Sequence, residues 1–267
     1  MTDADIPRPS ANASFRISHV LPGWLRRLVL PLSRWLWYAA WRVRLKWWKL
    51  TRDRRIRDHY RTHSIIKVSL GAGSHVRAGW INTDLEPLDG RIVCVDVTRR
   101  LPFPAGSVDC FHTEHMIEHL PLPAARSVIR ECHRALKPGG RLRISTPDIM
   151  RIGRLLFDPG APANAEYKRW ATQFLPRSVT ESMPVTSCMI FNNFVRNWGH
   201  QFIFDEETLK LLLSEAGFTD LRRCEHNRSD DPNLAGLELR QFVIGDVANE
   251  FETMIIEATR PREGLPT

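Results

Sequence analysis

The chain has 267 residues, 43% of them hydrophobic and 25% charged, a mixture that argues against extensive disorder and suits one large domain with an appendage. Five scattered cysteines with no C-x-x-C pair argue against a zinc knuckle or a disulfide framework and fit a reducing, cytoplasmic setting. The net charge of +8 sits at the beginning: residues 1–63 hold 14 Lys and Arg against 4 Asp and Glu, leaving the remainder close to neutral.

Residues 1–13 are polar and read as a disordered start. The following stretch carries six of the nine tryptophans, between Trp24 and Trp48. From Trp24 onward its longest uncharged runs, Leu28–Ser33 and Trp35–Trp41, fall far short of the ~20 apolar residues a bilayer span needs. The acidic first residues, with no continuous apolar stretch after them, do not read as a signal peptide. At 100° per residue, Leu32, Leu36, Ala39, Ala40, Val43, Trp47 and Leu50 form one stripe, opposite Arg34, Arg42, Lys46, Lys49 and Arg52. A basic helix of this kind fits either an anionic membrane surface or packing of its stripe onto the following domain. Nucleic-acid contact is a third reading, set behind these two.

From residue 64 the pattern changes to short buried-strand runs separated by turns. "IIKVSL" ends at Gly71, "WIN" leads to Asp84, "RIVCV" ends at Asp96, "SVDCFHT" precedes Glu114, and "RLRIST" ends at Pro147. "AARSVIRECHRALKPGG" reads as an amphipathic helix closed by Pro and Gly. Strands alternating with helices imply a parallel sheet, whose ligands bind beyond the carboxyl ends of the strands. Gly71 and Gly73 would let a ligand approach the backbone, Asp84 could accept two ribose hydroxyls, and Asp96 an exocyclic amine. Only ten residues separate Gly73 from Asp84, too few for a full helix and two connections.

These motifs resemble the class I S-adenosylmethionine-dependent methyltransferases of the type-11 group. The resemblance rests on "VSLGAGS", "INTDLEP", "DVTRRLPFPAGSVDCFHTEHMIEHL", "VIRECHRALKPGGRLRISTPD" and "GHQFIFDEETLKLLLSEAGF". It implies a Rossmann-like, doubly wound α/β fold: a mostly parallel seven-stranded sheet with helices on both faces, here preceded by the basic amphipathic helix. It also implies S-adenosyl-L-methionine as cofactor. Gly71, Ala72 and Gly73 match the loop beneath its methionine part, with Ser74 beside them. Asp84 matches the ribose acid, with Leu85 next to it; Asp96 and Val97 match the adenine contacts, and Glu114 and His115 the sulfonium side. Ser69 stands where the family often has an acid, and His75 where the third glycine of G-x-G-x-G would be. By analogy with a branch associated with cell-surface polysaccharide biosynthesis, the acceptor is expected to be a small molecule or saccharide, lipid-linked if the arm meets a membrane.

Three alternatives bear on the histidines and the function. "HMIEH" matches H-x-x-E-H, in which His115 and His119 on one helix face would bind zinc with Glu118 nearby; a methyltransferase requires no metal there. His200, within a long insertion over 149–204 that reads as a lid, is a candidate general base, with His115 as a second catalytic candidate. Asp148 would orient a substrate or cap the next helix. A catalytically inactive binding protein with the same fold is the other functional reading. The expected organisation is an arm over 1–63, the methyltransferase domain over 64–246 including the lid, and a C-terminal helix and tail over 247–267.

Overall fold

A computed structural model describes residues 43, 46–48, 50–238 and 245–262. The chain divides into two compact units, Met1–Leu50 and Thr51–Thr267. Most of the basic arm therefore lies outside the described residues. Within it Val43, Lys46, Trp47, Trp48 and Leu50 are helical, and Val43, Trp47 and Leu50, three members of the apolar stripe, are exposed.

The second unit is built on seven strands: β1 (Lys67–Leu70), β2 (Ile81–Asp84), β3 (Val93–Cys94), β4 (Val108–Glu114), β5 (Leu136–Pro147), β6 (Thr219–Cys224) and β7 (Thr253–Thr259). Their order in the sheet is β3-β2-β1-β4-β5-β7-β6. The first five pair in parallel, with Leu70 opposite both Thr83 and Thr113, and β7 runs antiparallel between β5 and β6. Strand order reverses between β1 and β4, so a crevice opens there at the carboxyl ends.

Side chains alternate across a strand, and the two faces differ here. Val68, Leu70, Phe111, Leu142 and Ile144 form one apolar core with Ile56 of helix α1 (51–62), Val128 and Ile129 of α2 (Leu122–Ala135), and Leu209, Leu212 and Leu213 of α7 (Glu206–Glu215). The opposite face carries Ser69, His112 and Arg143, all buried. Over it Trp80 and Cys110 pack with Leu234 and Leu237. Arg143 meets that cover with Nε 2.7 Å from Glu238 Oε1, and its Nη1 lies 2.5 Å from Glu257 Oε1 of the neighbouring β7.

The insertion after β5 forms helices α3 (Ile149–Phe157), α4 (Pro162–Thr172), α5 (Arg177–Thr180) and α6 (Ser187–Arg196). It is a helical subdomain with its own core of Ile152, Leu155, Tyr167, Ile190 and Phe194, joined by Ala248 of α8 (Asp246–Glu252), in place of a non-periodic lid. Local capping explains where the helices begin. Asp148 accepts the Met150 amide at 3.0 Å at the start of α3, and Asp205 accepts the Thr208 amide at 2.8 Å at the start of α7. Asp148 is thus a cap, and its other oxygen takes Arg223 at 2.8 Å.

Three boundaries read from the sequence are corrected. Residues 51–62 belong to the second unit, where Arg55 donates to the carbonyls of Ile92 and Gly90 and Tyr60 pairs with Ser107. Helix α2 stops at Ala135, because Leu136 already pairs with Val108 as β5; the Lys-Pro-Gly-Gly turn lies within that strand. The segment after α8 is β7, buried between two strands, so the domain extends past 246 in place of ending in a helix and tail.

Candidate active site

The connection from β1 to β2 contains no helix, only turns over residues 71–80. Its backbone is held by the strand it leads into. Ala72 N donates to Thr83 O at 2.8 Å and Gly73 N to Asp84 Oδ2 at 2.8 Å. Asn82 accepts from Arg77 N and donates to the carbonyls of Arg77 and Trp80. A contracted turn thus obtains from Asn82, Thr83 and Asp84 the hydrogen bonds that a helix would have supplied internally.

Gly71 and Gly73 both take left-handed φ angles, +66° and +56°. A Cβ on Gly71 would collide with Met116, whose own Cβ would be 2.7 Å away, whereas a Cβ on Gly73 would meet no protein atom within 4 Å. Gly71→Ala is therefore expected to cost about 2–4 kcal/mol of stability, combining left-handed strain with overpacking. Urea unfolding measures this. Adding Met116→Ala removes the Cγ contact but keeps the Cβ one, so it should recover only a fraction of the loss.

Between this turn and the end of β4 lies a cavity of about 250 Å³ whose lining includes Gly71, Ala72, Gly73, Asp84, Glu114 and His115. Those are six of the ten cofactor candidates. Ser74 is exposed, Leu85 is 55% exposed, and neither lines the cavity. Asp96 and Val97 also lie outside that lining; Asp96 accepts from Thr98 and pairs with Arg99 at 3.1 Å, while Val97 packs against the main core.

The lining also contains Arg77, a residue the motifs did not single out. Its guanidinium donates to Ser69 Oγ at 3.3 Å, Glu114 Oε2 at 3.1 Å and Leu237 O at 2.6 Å. Where the family often has an acid at position 69, this chain places a serine beneath an arginine, with Glu114 across the crevice. The signal in the sequence was an arginine inside a turn too short to hold a helix.

The residues present fit S-adenosylmethionine. The open side of Gly73 lets a ligand lie against the turn. Each Asp84 oxygen accepts one backbone amide, from Gly73 and from Glu86, so lone pairs remain for two hydroxyls. Glu114 and Arg77 bring one negative and one positive group to the cavity wall, matching the amino and carboxylate ends of a methionine chain.

The histidines are arranged differently from the zinc-hydrolase spacing. His115 has a left-handed φ of +48°, and Ile117–His119 is a 3-10 turn, so His115 and His119 do not share a face of an α-helix. His115 Nε2 is 2.9 Å from Thr253 Oγ1, and its Nδ1 faces Glu118 Oε1 at 3.2 Å. His119 instead meets His200, with ring centroids 5.1 Å apart. His200 Nδ1 donates to Phe194 O at 2.7 Å, which leaves Nε2 as the acceptor of a neutral ring. Burial lowers the His200 pKa, against the opposing pull of that carbonyl. Burial by itself would raise the Glu118 carboxyl, but the imidazoles of His115 and His119 bring it below its ordinary value. Phe194 is core and Trp198 stacks edge-on against Phe174 and Phe194, as packing of the insertion.

Residues 68–144 match the family model described as a methyltransferase domain. A 48-residue stretch is 42% identical to an uncharacterized 37.1 kDa protein in transposon TN4556 of Streptomyces fradiae; the match covers 18% of this chain and 13% of that protein. A methyltransferase from Archaeoglobus fulgidus that depends on S-adenosylmethionine aligns over 79% of this chain and 94% of its own, at 17% identity and a TM-score of 0.41. Phosphoethanolamine N-methyltransferase 2 of Haemonchus contortus aligns over 74% of this chain and 49% of its own, at 15% identity and a TM-score of 0.41.

Proposed function

We propose that this chain, whose residues 68–144 match a methyltransferase domain, is a class I S-adenosylmethionine-dependent methyltransferase that methylates an oxygen on a small-molecule or saccharide acceptor. The observation carrying this reading is the cavity at the strand-order reversal, with the glycine turn and Asp84 on one wall and Glu114, His115 and His119 on the other. When bound there, the cofactor supplies an electrophilic methyl group on a sulfonium.

The chain's own residues have the remaining tasks. The Gly71–Gly73 backbone lets the ligand approach, Asp84 accepts the ribose hydroxyls, and Arg77 with Glu114 orients the methionine end. An oxygen acceptor must lose its proton as it reacts, and a near-neutral imidazole suits that task. His200, neutral and with Nε2 unoccupied by the Phe194 carbonyl, is the candidate base. It stands against His119, one of the histidines that line the cavity.

The arm supports an acceptor at a membrane surface. No helix among the described residues is long and apolar enough to cross a membrane. Residues 1–63 nonetheless carry 14 basic groups against 4 acidic ones, and Val43, Trp47 and Leu50 show exposed apolar side chains. A basic segment with such groups is suited to an anionic interface, which favours a lipid-linked saccharide. Incubating the full chain with methyl-labelled cofactor and fractionated cell extract tests this. Label in a lipid-extractable, glycosidase-sensitive product is the expected result. Label confined to protein or nucleic acid would overturn the acceptor class.

A further inference from the structure

We propose that Glu118, His119 and His200 form a binding site for a divalent transition-metal ion at the acceptor side of the cavity. This rests on the methyl-transfer reading only for what the ion does; the site stands on its own geometry. Three potential ligand atoms, one from each residue, lie within 4.8 Å of one another. They come from separate parts of the chain: the 3-10 turn after β4 supplies Glu118 and His119, and the turn after α6 supplies His200.

The surroundings hold each ligand in a usable state. His200 donates its Nδ1 proton to Phe194 O at 2.7 Å, leaving the Nε2 lone pair for a metal; a carbonyl partner of this kind fixes the tautomer of metal-bound histidines. Glu118 is fully buried. Its Oε2 accepts the Thr146 hydroxyl at 3.1 Å, while its Oε1 makes no hydrogen bond and has His115 Nδ1 at ion-pair distance. Gln201 ties down the same turn, donating through its amide nitrogen to Glu118 O at 2.8 Å and through Nε2 to His119 O at 2.9 Å. Gly199 has a left-handed φ of +82°, and a Cβ there would come 3.7 Å from His119 Nδ1.

Two nitrogens and one oxygen select ions from manganese to zinc over magnesium or calcium, which prefer all-oxygen sets. Three protein ligands leave coordination positions open. His119 lines the cavity, so an acceptor hydroxyl can take one of them. Coordination lowers the pKa of that hydroxyl, whose proton then passes to solvent water. His200 is then a ligand, and the ion takes over the task otherwise given to its imidazole.

The test titrates the chelator-stripped full chain with cobalt(II), reading its visible absorption, with zinc(II) in competition. One equivalent of cobalt should bind with a structured band that zinc displaces. Outer partners of a ligand are commonly worth about 10–100-fold in affinity, so His119→Ala and His200→Ala should each weaken binding by roughly tenfold or more. Absence of stoichiometric binding to the parent chain, or parent-like affinity in both variants, overturns the site. Calorimetry of His200→Ala with S-adenosylhomocysteine separates the two readings, because His200 is not among the residues lining the cofactor cavity. Retained binding in His200→Ala places the loss at the metal. If the parent chain binds cobalt but not S-adenosylhomocysteine, the methyl-transfer reading fails while the metal site stands.

Discussion

Asp84→Ala is expected to weaken S-adenosylhomocysteine binding by about 2–4 kcal/mol, roughly thirty- to a thousandfold in dissociation constant, since it removes charged acceptors for two hydroxyls. Isothermal calorimetry measures it directly. The carboxylate also shapes the pocket, because Oδ2 holds Gly73 N and Oδ1 holds Glu86 N. Asp84→Asn separates the two contributions. An amide keeps one acceptor oxygen and can preserve one backbone bond, so it should fall between the parent chain and the alanine variant. Because Gly73 N would lose its partner in the alanine variant, its thermal unfolding should also shift. Unchanged affinity in Asp84→Ala would mean that the ribose lies elsewhere and that the glycine turn is structural.

That expectation was legible early, since a glycine turn and an acid at the next strand end are local features. The parallel strands from β1 to β5 were legible for the same reason: each is a short apolar run closed by a turn. Elements whose meaning depends on a distant partner were harder. Lys137–Gly140 looks like a helix terminus, but pairing of Leu136 with Val108 and Arg141 with Cys110 puts the intervening residues in β5. "TMIIEAT" follows a helix with no intervening turn signal, and only its place between β5 and β6 makes it a strand. Its β-branched residues were the available cue.

The histidines show the same limit more sharply. Spacing alone pairs His115 with His119, because a helix brings residues four apart onto one face. The left-handed turn at His115 breaks that relation, and His119 finds His200 across the fold. The role of Arg77 was hidden for a related reason, although its place in a turn too short for a helix was a cue. Its three partners, Ser69, Glu114 and Leu237, come from β1, β4 and the cover of the polar face, and no local pattern links them. The contracted β1–β2 turn leaves that face to be covered by residues 225–238, whose polar groups must then be satisfied by buried charges.

Arg143→Met should expose how much stability rests on that arrangement. Arg143 is fully buried, bonded through Nε and Nη2 to Glu238 and through Nη1 to Glu257, with a further bond to Arg228 O. Methionine fills similar space but leaves buried carboxylates without their central cation. Breaking a buried pair on one side costs about 3–5 kcal/mol, which for a domain of this size lowers Tm by on the order of 10 °C. The pH dependence identifies the cause. Burial acts to raise the Glu238 carboxyl, but bonds from Arg143 chiefly, with Ser145 and the Asn227 amide, hold it below its ordinary value. A carboxyl depressed in the folded state stabilises it above the unfolded pKa, and this contribution fades as pH falls through the folded pKa. Without Arg143, burial prevails and the folded pKa lies above the unfolded one, so ionisation of Glu238 becomes destabilising and protonation relieves it. The gap in Tm between parent and variant should therefore narrow as pH falls from about 7 toward about 5. Adding Glu238→Gln should recover part of the loss at neutral pH, because it removes a charge left without its cation. A gap independent of pH, with no recovery in the double variant, would show that Arg143 contributes through packing of its aliphatic stem and not through the buried charges.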